Sequence, residues 1–314
     1  MHSNLNNIFI VGNGAIGKTL AVFLNSKGLN VAIIRGSIDT GEKTTENITV
    51  ELSNGEQRSC NIETVTFSTF SKLDGLILLT NKSFGNDTIA KKLKEKNTTA
   101  PLVILQNGLG VEKPFINEGF ANIYRTVLFA TSQIKEDGRV RFKPVSPSPI
   151  GIIKGNTDTL HRITELLNTI EFQFRPEPDI QTYIWRKAIM NIVFNSICPL
   201  LNTDNGIFHR NPKAMKLAQR IIHACVNIAN ISNIPVNSKE IEDGVLNISR
   251  SSDGQLISTL QDINNKRKTE IDTLNFELVR IAQSLNIERV ANDISLLGEL
   301  IKLKESINKN EQDL

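Results

Sequence analysis

The chain has 314 residues, 39% hydrophobic and 22% charged, with a net charge of +3. That length suits about two domains of roughly 150 residues each, and the charged share excludes wholesale disorder. The mild positive charge gives no reason to expect nucleic acid or an anionic membrane as a partner.

Short apolar runs alternate with helix-like stretches in the first half. Ile8–Val11, Val31–Ile34, Ile48–Leu52, Leu76–Leu79 and Leu102–Leu105 are rich in Val, Ile and Leu without polar alternation. That is the pattern of strands buried on both faces of a parallel sheet. Lys18–Lys27, closed by Gly28, has the length of a crossover helix. Asp137-Gly138, between Ile123–Ala130 and Arg139–Phe142, suggests a hairpin at the sheet edge, and Gly151–Ile153 a last strand. From about Asp179 the periodicity turns helical. Helices are predicted over Tyr183–Cys198, Pro212–Ile231, Ser238–Ser249, a long stretch around Ile257–Leu285, and Asn292–Ile307. The expected fold is therefore an α/β Rossmann-like domain with a parallel sheet over residues 1–178, followed by an all-α domain over 179–314.

No apolar run reaches a bilayer span of roughly 20 residues, and Met1–Asn7 lacks the basic and apolar regions of a secretion signal. Cys60, Cys198 and Cys225 are odd in number and scattered, which excludes a four-cysteine zinc site and a disulfide framework. A cytoplasmic protein without a metal site is expected. Asn-X-Ser/Thr triplets such as Asn97-Thr98-Thr99 are read as chance in an Asn-rich chain.

Gly12-Asn13-Gly14-Ala15-Ile16-Gly17-Lys18-Thr19 satisfies two patterns at once. G-x-G-x-x-G is the dinucleotide turn, and G-x-x-x-x-G-K-T is the P-loop. Both set backbone N–H groups and a helix N-terminus against phosphate. A P-loop protein needs a carboxylate at the end of another buried strand to hold magnesium. The candidate strands end instead in Thr80-Asn81-Lys82 and Gln106-Asn107-Gly108. Phe84 also stands where a guanine-reading motif would need Asp. The dinucleotide reading is favoured: Gly12 makes the tight turn, Gly14 admits the pyrophosphate, and Gly17 lets helix meet strand. The second strand ends in Arg35 rather than an acidic residue, which favours a 2′-phosphate and hence NADP over NAD.

In the second half, Lys187, Asn191 and Asn195 recur at i, i+4 and i+8 within Trp185–Asn195, on one face of an otherwise apolar helix. Burying a lysine and two amides is costly unless each meets a polar partner, so the stripe suggests a ligand or a network. A solvent-facing stripe is the alternative. Ser258-Thr259-Leu260-Gln261-Asp262 and Lys268-Thr269-Glu270-Ile271-Asp272 form a second group, in which spacing alone does not single out Glu270.

Together, the Gly12–Gly17 turn, Arg35, Thr80-Asn81-Lys82, Gln106-Asn107-Gly108, Trp185–Asn195 and Ser258–Asp272 resemble the 2-dehydropantoate 2-reductase (ketopantoate reductase) family. The resemblance spans residues 12–272. The chain departs from the family pattern at Phe276, where Gly is usual, and at Val290, where Pro is common.

The resemblance implies NADPH-dependent reduction of 2-dehydropantoate to pantoate in pantothenate biosynthesis. It implies Lys187 as general acid with Glu270 beside it, Asn107 ordering nicotinamide and substrate, and Asn191, Asn195 and Ser258 gripping the substrate. Gly12, Asn13, Gly14, Ala15, Ile16, Gly17, Arg35, Lys82 and Asn107 would hold the cofactor. On a straight helix Ser258 and Glu270 would stand about 18 Å apart, so serving one compact keto acid requires a bend. A reductase of another small α-keto acid, a P-loop phosphohydrolase and a noncatalytic NADP sensor are the competing readings. A homodimer is compatible with the apolar helical half.

Overall fold

The computed structural model describes residues 5–310. The chain divides into two compact units. One takes residues up to 106 together with 111–180, and the other takes 107–110 together with the chain from 181.

The first unit runs β1 (Asn7–Val11), α1 (Ala15–Ser26), β2 (Asn30–Arg35), β3 (Thr44–Leu52), β4 (Gln57–Thr66) and β5 (Leu76–Leu79). It continues with α2 (Asn86–Glu95), β6 (Leu102–Ile104), α3 (Lys113–Asn117), β7 (Ile123–Thr126) and β8 (Ala130–Ile134). β9 (Val140–Pro144), β10 (Ser148–Lys154), α4 (Thr157–Leu167) and β11 (Phe174–Pro176) complete it. All eleven strands share one sheet in the order β11-β10-β7-β6-β5-β1-β2-β4-β3-β9-β8. The stretch from β7 to β4 is parallel throughout. Chain order reverses between β1 and β5, the switch point beside which open α/β sheets bind ligands.

Alternate residues of β1 enter separate cores. Ile8 and Ile10 pack with Leu20, Phe23 and Leu24 of α1 and Ile163 of α4. Phe9 and Val11 pack on the other face with Ile89 and Leu93 of α2 and Phe115 of α3. Both faces being covered is why these strands read as continuous apolar runs.

Three sheet expectations are corrected. Ile48–Leu52 belongs to β3, which is antiparallel to β4 and parallel to β9 rather than one of the central parallel strands. The third parallel strand is β4, whose first half alternates exposed polar residues because it pairs there with β3 alone. The Asp137-Gly138 turn does join a hairpin, but its first arm is β8; Ile123–Thr126 lies inside the sheet between β6 and β10. α4 and β11 are not among the predicted elements, although α4 has an Asn156 N-cap and places Leu160, Ile163 and Leu167 at helical spacing.

The second unit comprises α5 (Ile180–Leu200), α6 (Ile207–Arg210), α7 (Pro212–Ile231), α8 (Ser238–Ser251), α9 (Ser258–Asn264), α10 (Asn275–Ser284) and α11 (Asn292–Asn310). Among the described residues no strand follows Pro176, and no helix is long and apolar enough to cross a membrane. The single helix expected around Ile257–Leu285 does not form. α9 ends at Asn264, and Lys266 adopts a left-handed φ of 55°. A short 3-10 turn at Ile271–Thr273 precedes α10. The break has a tertiary cause: the buried Glu305 carboxylate on α11 accepts from the Thr269 N–H at 3.1 Å and from its hydroxyl at 2.7 Å. Both bonds hold residue 269 out of a continuous helix.

Pro212 opens α7, and the Asn211 side chain accepts from the N–H groups of Lys213 and Ala214. Replacing an N-cap Asn by Ala removes these bonds, so Asn211→Ala should lower stability by about 1 kcal/mol in urea unfolding. NADPH affinity, titrated in parallel, should not move.

Candidate active site

The turn after β1 is shaped by crowding. Gly12 has a φ of 123°, and a Cβ there would lie 2.6 Å from the Asn81 nitrogen and 2.7 Å from Thr80 Oγ1. A Cβ on Gly17 would lie 2.1 Å from the Gly12 carbonyl oxygen. The Thr80 hydroxyl donates to the Val11 and Gly12 carbonyls, both at 3.2 Å, binding the turn to the end of β5. Gly14 differs, with no protein atom within 4 Å of a Cβ built on it. It needs no glycine for the protein's own packing and lies at the open N-terminus of α1.

Ala15 and Ile16 form the first turn of that helix, which has no acidic residue and no side-chain cap. Its first N–H groups are therefore available to an anion. Asn13 Oδ1 is buried without a hydrogen-bond partner. These features fit a dinucleotide pyrophosphate. A P-loop is disfavoured because the helix begins before Lys18, whose ammonium forms an ion pair with Glu46 on β3.

Arg35 ends β2. Its guanidinium pairs with Glu42 at 3.2 Å, and its Nε is buried without a hydrogen-bond partner. The Glu42 side chain is 63% exposed, a partner that a phosphate could displace. Lys82, half-buried, immediately precedes the 3-10 turn Ser83–Gly85 after β5.

Behind these loops lies a network that sequence reading misses. Asn86 Nδ2 donates to Gln106 Oε1 at 2.7 Å and to the Val111 carbonyl at 2.8 Å. Gln106 Nε2 returns bonds to the Asn81 carbonyl and Asn86 Oδ1, both at 2.8 Å. Arg125, buried on β7, forms an ion pair with Glu112. No spacing rule links residues so far apart in sequence; the weak signal is a lone arginine in the apolar run Ile123–Thr126.

In the second unit, Lys187, Asn191 and Asn195 share the expected face of α5, and none of them is exposed. Burial pushes the Lys187 ammonium below the ordinary lysine range. Among the described residues the ammonium makes no hydrogen bond or ion pair, and burial alone accounts for the lowering. Asn195 is almost fully buried, and its Oδ1 accepts from the Ser258 hydroxyl at 3.4 Å and the Thr259 N–H at 3.3 Å. α9 has no cap of its own, so Asn195 caps it from another helix.

Ser258 starts α9 and is exposed; Glu270 lies beyond the break and immediately before the 3-10 turn. The bend that a shared ligand requires is therefore present. Asn107 is exposed and belongs to this unit by its contacts. Its neighbour Leu109 donates its N–H to the Thr273 carbonyl at 2.7 Å, and the Thr273 hydroxyl donates to the Glu270 carbonyl at 3.2 Å.

Residues 8–153 match the family description "Ketopantoate reductase PanE/ApbA", and residues 179–305 match its C-terminal counterpart. A 2-dehydropantoate 2-reductase from Pyrococcus horikoshii is 27% identical over 302 residues, covering 96% of this chain and 98% of that protein. One from Streptococcus pyogenes is 25% identical over 308 residues, covering 96% and 98%. The solved structure of a dimeric ketopantoate reductase from Staphylococcus aureus aligns with a TM-score of 0.79 at 18% identity, covering 96% and 99%. A D-mandelate dehydrogenase with NADH and anilino(oxo)acetate aligns at 0.82 with 21% identity, again covering 96% and 99%. At such identities these structures establish the fold alone. Both halves of the chain match both parts of one family, in order, and the chain thus belongs to the ketopantoate reductases, NADPH-using oxidoreductases.

Proposed function

We propose that the protein reduces 2-dehydropantoate to pantoate, with Lys187 as general acid. The observation that carries this reading is the Lys187 ammonium: half-buried, lowered in pKa by burial, and free of any protein partner among the described residues. A structural lysine on an apolar helix would be expected to have a carboxylate partner. An unpaired one suits a substrate that brings its own oxygen. When bound, NADPH supplies a hydride to the keto carbon. Lys187 donates its proton as charge grows on the carbonyl oxygen, and lowering its pKa makes that donation easier.

Asn191, one turn along α5, and Asn107 offer amides to the substrate. Ser258 offers a hydroxyl to its carboxylate. Asn195 acts mainly through Ser258, since its Oδ1 is already used in holding the start of α9. Glu270 serves as an acceptor for the substrate's hydroxyl end. Gly12 to Gly17 and Lys82 hold the pyrophosphate side of the cofactor, and Arg35 its 2′-phosphate. We place the protein in the cytoplasm, where its free cysteines Cys60, Cys198 and Cys225 would stay reduced. We also read it as a homodimer, like the S. aureus relative. Leu296, Leu300, Leu303 and Ile307 support that reading, forming an exposed apolar stripe at coiled-coil spacing along α11.

The direct test is NADPH oxidation against a panel of α-keto acids. 2-Dehydropantoate should give the highest kcat/KM. A bulky aromatic keto acid outperforming it would shift the reading toward the D-mandelate dehydrogenase neighbour, and no turnover with any would favour a sensor. Lys187→Ala should cut kcat at least about 100-fold while leaving NADPH affinity within about threefold. In the unsubstituted enzyme, activity requires the protonated amine, so kcat should fall as pH rises through a value below the ordinary 10.5. Lys187→Arg, whose cation does not titrate, should lose that basic limb if it retains turnover. Arg35→Ala should weaken NADPH at least about tenfold more than NADH; equal losses would remove Arg35 from the 2′-phosphate site.

A further inference from the structure

Arg125 stands on β7 in register with Ile104, the last residue of β6. Its side chain is 2% exposed and forms an ion pair with Glu112. The same guanidinium donates from Nη2 to the Gln106 carbonyl at 3.4 Å. Gln106 and Glu112 lie on either side of the short segment 107–110, which groups with the second unit while its flanks belong to the first. Asn86 reinforces both roots, with one bond to the Gln106 side chain and one to the Val111 carbonyl.

Between the roots the chain passes through Gly108 with φ 104° and Gly110 with φ 64°. A Cβ on Gly108 would lie 2.6 Å from Thr273 Oγ1, so the segment is closely packed at its tip as well. Asn107 is the first residue past a fixed root and directly precedes that contact.

We propose that Arg125 is a positioning residue for the reaction, bracing Gln106 and Glu112 so that Asn107 presents its amide from a fixed backbone direction. The proposal rests on the reading that Asn107 orders the substrate. The residue type suits the task. A guanidinium stays charged at all working pH values, and its planar fork reaches two separate points of chain at once. Lysine is a single point charge and can keep the Glu112 pair but not both bonds. Displacing a substrate-ordering group by about 1 Å costs as much as 100-fold in rate.

The test compares Arg125→Gln, Arg125→Lys, Glu112→Gln, Asn107→Ala and the Arg125→Gln/Asn107→Ala double variant. Each is assayed well below its melting temperature with the best keto acid of the panel, alongside an NADPH titration. Arg125→Gln should lower kcat/KM at least about tenfold, with NADPH affinity within about twofold and partial recovery in Arg125→Lys. The double variant should be no more than about threefold worse than Asn107→Ala alone, because both changes disable the same group. If Arg125→Gln does not fold, Arg125→Lys and Glu112→Gln carry the same comparison. Full kcat/KM in the folded Arg125 and Glu112 variants, or losses that multiply in the double variant, would overturn the proposal. Full turnover in Asn107→Ala would instead overturn the reading of Asn107 itself.

Discussion

Holding a lysine ammonium on an apolar helix without a carboxylate beside it opposes ordinary folding energetics. Water stabilises the charged form, and removing water without supplying an anion disfavours it. Lys187 of α5 is in that position: burial lowers its pKa, and no described residue compensates. The surrounding polar groups do not neutralise it. Asn195 points its acceptor at the start of α9, and Asn191 adds an amide of no charge. The resulting amine is poised to give up its proton, which is the property asked of a general acid to a keto oxygen.

The cofactor side works by a different constraint, which is space. Gly12 and Gly17 are required because a single added carbon would strike Asn81, Thr80 or the Gly12 carbonyl. Gly14 has free space around it, so the protein's own packing does not require its lack of a side chain, which fits the proposed close approach of a pyrophosphate. Backbone N–H groups at the uncapped start of α1 then supply the attraction for phosphate. Lys18, which makes the motif look like a P-loop, is occupied by Glu46.

The polar network of Asn81, Asn86, Gln106, Glu112 and Arg125 joins the loops after β5 and β6 into one hydrogen-bonded body. The network is not fully satisfied, since Asn81 Oδ1 and Arg125 Nε are buried without a hydrogen-bond partner, but its remaining bonds tie these segments together. Local rules found the glycine turn and the α5 stripe because their members lie within eight residues of one another. They could not find Arg125 and Glu112, which meet only after β6 and β7 pair. They also misread Ile257–Leu285, where helical periodicity is real but Glu305, distant in sequence, captures Thr269. β4 escaped notice because half of it sits in the sheet interior and half against β3 alone, so it shows neither pattern cleanly.

The amino-acid sequence alone determined the class of fold, the glycine turn between β1 and α1, Arg35 in place of an acid, and the face shared by Lys187, Asn191 and Asn195. Each of these depends on near neighbours and on the repeat of a helix or strand. Tertiary structure decided which strands are central, where the last long helix breaks, that Asn195 caps α9, and that residues 107–110 leave the sheet to pack on Thr273. Those outcomes depend on hydrogen bonds and close contacts between segments far apart along the chain, and no local periodicity encodes them.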